Sequence, residues 1–409
     1  MIRFERRAKT AMSFEGLEAF FGLIGTRRWQ ARLAEIRDLC ANGPRAGQAN
    51  RQRFAIELTL ARLRRQPGTM KSPADWLLAR IAADTADIAS LLSRAGRARL
   101  RAWLDDSLSG ANTLVPVFHM VRTAMLQSSR GFEVRFTGLE AGTPYDLLLR
   151  RDHTEAEVAC GVFNAEEGRG VHRAAWFRLA DLVDPDLQTW LAAHPGRYLL
   201  KMTLPLGLRG NPQNPALDNE ILALLHQRIR ALLAAKTRQD CDQAIVLRLD
   251  PLLLAGAQAE DMGLISRLRR EFGPEAHLSV TTAGNGVFVM AARAGRENEI
   301  AIAIRRCLAA LAPARLSGER PGILALFVED TDRAEWRGLR ERLELEGEAR
   351  QFMTNPAARP VVAVTFASRL ELFGLGEPDA AAGGELRFRN PGHPAARLPA
   401  LAPAVMSSV

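Results

Sequence analysis

A chain of 409 residues, 47% hydrophobic and 25% charged, can build ordinary globular cores and is expected to form two or three domains of roughly 100–200 residues each. No apolar run reaches the roughly 18 residues of a membrane span, and the charged N-terminus lacks the apolar stretch of an export signal. The four cysteines (Cys40, Cys160, Cys241, Cys307) are too scattered for a zinc site or a disulfide framework. A cytoplasmic protein without a membrane partner is expected.

The formal net charge of +9 is unevenly placed, because residues 1–70 carry fourteen basic side chains against six acidic ones. Such a concentration favours a polyanion, nucleic acid above all, through phosphate contacts and counterion release. Arg51, Arg53, Arg64 and Arg65 are the candidate phosphate contacts here. An arginine-rich composition with four lysines (Lys9, Lys71, Lys201, Lys236) also produces basic faces that serve no partner.

Residues 1–110 read as a basic helical region. Phe14, Leu17, Phe20, Phe21, Leu23 and Ile24 recur at helical spacing, and Trp29, Leu33 and Ile36 continue it. Asn42-Gly43-Pro44 interrupts, a second helix runs from about Arg51 to Arg65, and Gln66-Pro67-Gly68 ends it. Ser72-Pro73-Ala74-Asp75 has the form of a helix N-cap with proline in the first turn.

Residues 111–208 read as a helix (Leu114–Leu126), three strands (Phe132–Leu139, Tyr145–Arg150, Thr154–Phe163), a helix over Gly170–Val183 with a short one after Asp184-Pro185-Asp186, and a strand (Arg197–Leu204). Residues 209–373 alternate strands with helices, including a helix at about Ala259–Phe272, and predict a further α/β segment. Residues 374–409 are rich in Ala, Pro and Gly and are expected to be a disordered tail.

The α-β-β-β-α-β order over residues 114–204, with Asp146 opening the second strand and Glu155, Glu157 and Ala159 alternating along the third, resembles the restriction-endonuclease-like, or PD-(D/E)XK, nuclease core. The resemblance implies that Asp146 and Glu157 would hold Mg2+ beside a scissile phosphate, most simply of DNA. Strand geometry explains the spacing, since residues two apart point to one face. The sequence departs from the motif twice: Tyr145 stands where the family has proline, and Ala159 stands at the lysine position. His172 and Arg173 on the next helix, or Lys201 on the last strand, are the candidate replacements, and Arg169 with Arg173 shares a helix face suited to phosphates.

The expected function is therefore nucleic-acid binding on a nuclease-like fold with a degraded catalytic motif. A working magnesium-dependent nuclease and a non-enzymatic interaction scaffold are the alternatives. Gly284-Asn285-Gly286 reads as a hairpin turn, and Glu329-Asp330-Thr331-Asp332 as a helix N-cap.

Overall fold

The computed structural model describes residues 14–66, 70–210, 215–235, 238–252, 268, 272 and 276–408. In chain order come α1 (Phe14–Ile24), α2 (Thr26–Cys40), α3 (Pro44–Arg53), α4 (Ala55–Arg65), α5 (Pro73–Leu91), α6 (Arg94–Ser107) and α7 (Val115–Ser129). Then follow β1 (Glu133–Arg135), α8 (Thr137–Ala141), β2 (Leu147–Arg151), β3 (Thr154–Asn164), α9 (Arg173–Ala193), β4 (Arg197–Leu204), α10 (Pro215–Ala234), β5 (Gln239–Cys241), β6 (Val246–Pro251), β7 (His277–Ala283) and β8 (Gly286–Ala294). The chain closes with α11 (Ile300–Arg315), β9 (Gly322–Glu329), α12 (Arg333–Glu341), α13 (Glu344–Met353), β10 (Val361–Ser368), α14 (Arg369–Leu372), β11 (Leu386–Arg389) and α15 (Ala402–Val405). The fold is mixed α/β with two mixed sheets. No helix among the described residues is long and apolar enough to cross a membrane.

Two compact units divide the chain: residues 1–37, 53–165 and 301–409 form the first, and residues 38–52 and 166–300 the second. The first holds a six-stranded sheet in the order β1-β2-β3-β9-β10-β11. β1, β2 and β3 form an antiparallel meander, β3, β9 and β10 run parallel, and β11 is antiparallel to β10. β9 and β10 are buried at every position, as near-continuous apolar runs in parallel strands require. Leu147, Leu149, Ala156, Val158, Ile323, Ala325 and Phe327 pack with Val117, Met120, Val121 and Ala124 of α7 in one core. On the opposite face of the sheet α11 lies against Gly161, where a Cβ would stand 2.8 Å from Leu311 Cδ2. Glycine is what lets that helix approach.

The N-terminal helices pack as their periodicity predicts, with Leu17, Phe20, Phe21 and Trp29 buried and Phe20 edge-on to Phe118 at 5.9 Å. Ser72 is the expected N-cap of α5, and with Asp75 it forms a capping box; Asp332 caps α12 through the Glu335 N–H at 2.8 Å.

In the second unit the sheet order is β5-β6-β4-β8-β7. Leu200, Met202, Leu204, Leu247, Leu249, Met290 and Ala292 bury one face against Trp176, Leu179 and Val183 of α9 and Leu222, Leu225 and Ile229 of α10. Gly284 and Asn285 turn the β7–β8 hairpin as expected.

Several expectations are corrected. The strand Arg197–Leu204 is β4 of the second sheet and does not close the first, whose strand beside β3 is β9. The expected strand Phe132–Leu139 shortens to β1, and α8 takes its end. The pair of helices about Asp184-Pro185-Asp186 is one helix, α9, with Pro185 inside it; Val183, Leu187 and Leu191 keep one buried stripe through the proline. The expected 51–65 helix breaks at buried Phe54 between α3 and α4. Residues 374–408 are no disordered tail: β11 pairs with β10, and Leu401 and Val405 are fully buried. Residues 3–9, the Pro67-Gly68 turn, Lys236 and most of the Ala259–Phe272 helix lie outside the described residues.

The tail is tied down through Glu371. This buried carboxylate accepts the Ser368 N–H and Oγ–H, each at 2.6 Å, the Ala381 N–H at 2.6 Å and the Trp336 Nε1–H at 3.0 Å. Glu371→Ala leaves these buried donors unpaired and is expected to cost about 3 kcal/mol, read as a lowered unfolding free energy in a urea titration.

Candidate functional site

The β2–β3 hairpin sets the geometry of the predicted carboxylates. Leu147 pairs with Val158 and Leu148 with Glu157, and the Asp146 N–H donates to Val158 O at 3.0 Å. Asp146 therefore stands opposite Ala159, and alternation puts Asp146, Glu157 and Ala159 on one face of the sheet. The shared face places the two carboxylates on the same side of the sheet as Ala159, each bonded to a different group.

What surrounds the pair was not foreseen. Asp146 is 8% exposed; its Oδ2 accepts the Cys160 N–H at 2.7 Å, and Arg315 Nη2 reaches both carboxylate oxygens at 2.8 Å. Arg315 Nε also donates to Pro144 O at 2.6 Å, which fixes the guanidinium. Burial pushes the Asp146 pKa up, opposed by Arg315 and the Cys160 N–H. Glu157 is fully buried. Its Oε2 accepts the Ser317 N–H at 2.9 Å, its Oε1 accepts the Ser317 hydroxyl at 2.5 Å, and Arg320 Nη1 lies 3.6 Å away. Arg320 Nε also bonds Glu155 at 2.9 Å.

Arg315, Ser317 and Arg320 all belong to the end of α11 and the connector into β9, so one segment answers all three carboxylates of the candidate motif. Nothing local in the sequence announces it, because these residues follow Glu157 by more than 150 positions. The arginine beside Asp146 supplies charge where the motif lacks lysine, but it cannot give up a proton and does not reproduce a tunable amine.

Magnesium needs carboxylate oxygens turned toward the ion. Every oxygen of Asp146 and Glu157 already accepts a hydrogen bond or ion pair, so the residues as arranged do not fit a divalent cation. Among the described residues no group of three or more His, Cys, Asp or Glu side chains is placed to hold a metal.

The other predicted residues divide differently. Arg169, His172, Arg173 and Lys201 belong to the second unit, whereas Asp146 and Glu157 belong to the first. Arg169 is buried and paired with Glu166, and Glu166 also accepts the Arg173 N–H at 2.8 Å. His172 Nδ1 accepts the Gly210 N–H at 3.2 Å, and burial, with Arg209 and Arg169 nearby, lowers its pKa. Lys201 pairs with Asp250 at 3.3 Å.

Of the basic N-terminal side chains, Arg53 pairs with Asp330 at 2.9 Å, and Arg64 meets Glu18 at 3.3 Å while lying 4.4 Å over the Phe21 ring. Arg51 and Arg65 are exposed, although Arg65 Nε reaches Ala61 O at 3.4 Å. Much of the N-terminal charge is therefore spent within the fold.

Beside Asp146 opens a cavity of 520 Å³ whose walls include Arg99, Trp103, Pro116, Leu311 and Arg315. Arg99 Nη1 is held by Leu139 O and Glu140 O at 2.8 and 2.9 Å. His119 also lines it, with Nε2 3.0 Å from Ala325 O; burial lowers its pKa to about 4, so it is neutral at physiological pH. The cavity therefore presents two guanidinium groups beside one neutralised carboxylate, a setting suited to an anion.

Comparison of the chain with protein-family models, curated proteins and solved structures finds no match.

Arg315→Ala removes the counterion of a buried carboxylate. A carboxylate whose folded pKa is raised contributes most stability at low pH and loses it as pH rises through the folded pKa; without Arg315 that pKa rises further. The variant is expected to lose about 2 kcal/mol at pH 7, trimmed because the Arg315 side chain is 34% exposed. The deficit should shrink as the pH is lowered through the raised Asp146 pKa, as followed by urea unfolding at several pH values.

Proposed function

We propose that this chain binds nucleic acid on a nuclease-like fold without hydrolysing it. The observation that carries the reading is the engagement of Asp146 and Glu157 by Arg315, Ser317 and Arg320, which turns a metal-holding arrangement into a set of salt bridges. Apart from the short helix α8 between β1 and β2, the order α7-β1-β2-β3, then α11-β9 with β9 parallel to β3, supports the α-β-β-β-α-β resemblance, with residues 166–299 interposed. The net charge of +9 and the guanidinium groups of Arg99 and Arg315 at the adjacent cavity support a backbone phosphate as the ligand. Arg99 contacts it directly, and Arg315 contributes field while remaining on Asp146.

The test is to incubate the protein with plasmid and single-stranded DNA in Mg2+ or Mn2+, beside Asp146→Ala, and to measure binding at several ionic strengths. DNA should stay intact and be retarded at low salt. Affinity should fall on the order of tenfold between 50 and 200 mM salt, and Arg99→Ala should weaken binding about fivefold for every sequence. Divalent-dependent nicking that disappears in Asp146→Ala would instead establish an active nuclease. DNA that is neither cut nor retarded would leave the interaction scaffold.

A further inference from the structure

The second sheet has a face opposite α9 and α10, part of which is buried where Leu199, Val289 and Ala291 pack with Leu268 and Phe272. Alternation along β4 points Leu200, Met202 and Leu204 at α9 and α10 and sends Leu199, Lys201 and Thr203 to the other side. Register adds Asp250, Arg248 and Val246 from β6 on one flank, and Val289, Ala291 and Arg293 from β8 on the other. Lys201 stands directly opposite Arg248, a like-charge pairing that opposes sheet formation. Arg293 lies one step along, beside Thr203.

Asp250 answers part of this charge, accepting from Arg248 Nε at 2.9 Å and from Lys201 Nζ at 3.3 Å. The Lys201, Arg248, Arg293 and Thr203 side chains together line a cavity of 290 Å³, walled by Phe272, whose ring centroid is 5.6 Å from Lys201 Nζ. Among the described residues, three cations line the cavity and one carboxylate, Asp250, pairs with two of them. A doubly charged oxyanion placed there would satisfy all three.

We infer that this cavity is a binding site for a phosphoryl group, held by Lys201, Arg248 and Arg293 with the Thr203 hydroxyl as a further donor. Its volume is at the small end of ligand pockets, which begin at about 300 Å³, and suits one phosphate with its sugar. Phe272 offers an apolar surface to that attachment. The phosphate has two possible sources, a free nucleotide or one unit of a nucleic-acid strand. The inference does not depend on the carboxylate site of the first unit, and with a strand as ligand it adds a second contact surface to the binding proposed above.

Isothermal titration of the full chain with inorganic phosphate, adenosine 5′-monophosphate and a short single-stranded DNA tests the site. Arg293→Gln should weaken binding about tenfold, and Asp250→Asn, which removes the competing carboxylate, should tighten it severalfold. A purely structural role for Asp250 would not produce tightening. Arg293 is exposed, so its variant keeps the test readable if Asp250→Asn fails to fold.

Binding of the mononucleotide without the oligonucleotide assigns a free nucleotide, and the reverse assigns a strand; either supports the site. Phosphate or mononucleotide binding should be untouched by Arg99→Ala, so the site stands even if DNA binding at the first unit fails. No binding of any probe, or binding indifferent to both Arg293→Gln and a triple Lys201→Gln, Arg248→Gln, Arg293→Gln variant, would overturn it.

Discussion

The first unit depends on the parallel pairing of β3 with β9. Eight consecutive positions, from Glu157 with Gly322 to Asn164 with Glu329, are in register, and this ladder joins the N-terminal meander to the C-terminal strands. It places α11 against Gly161 and brings the connector after α11 over the hairpin carboxylates. Main-chain hydrogen bonds fix the direction, and the buried runs Ile323–Val328 and Val361–Ala367 supply the apolar area that holds it. The chemistry of the candidate site is thus a by-product of one strand pairing.

That by-product changes how the motif is read. Two buried acids on one face of a sheet invite a cation of some kind, since burying them bare is costly. Here the protein supplies its own cations, and the hydroxyl and N–H of Ser317 complete the coordination of Glu157. A metal site and an internal salt-bridge network solve the same electrostatic problem, and this chain takes the second solution. The same economy recurs among the N-terminal helices. Arg32 is fully buried and donates to Gly110 O and Asn112 O, so positive charge there closes helix ends and loops as well as facing solvent.

Patterns that are local in sequence were legible. The alternation at Glu155, Glu157 and Ala159 predicted a shared face, Ser72 with Pro73 predicted the N-cap of α5, and Asp332 predicted the start of α12. What failed was partner choice. The Arg197–Leu204 run has the alternation of a strand, but period two does not say which sheet a strand joins. Arg315, Ser317 and Arg320 carry no signal of their own, because their meaning comes from carboxylates far away in sequence. The tail misled through composition: alanines and prolines suggested disorder, yet Ala380, Ala396, Leu401 and Val405 are buried and Glu371 anchors the Ala381 backbone. Small side chains there permit close packing against strands already in place.

The discontinuity of the first unit sets a timetable for its synthesis. When β3 leaves the ribosome, its eventual neighbour β9 begins 158 positions after Asn164, at Gly322, and at about 5–20 residues per second the wait is roughly 8–30 s. During that interval the β1–β3 meander has one long edge unsatisfied, while nearly all of the second unit is being made and is free to fold. The nascent chain therefore carries a half-built sheet through the whole production of an inserted domain. A cell making this protein must shelter that edge from its own and other chains until α11 and β9 arrive.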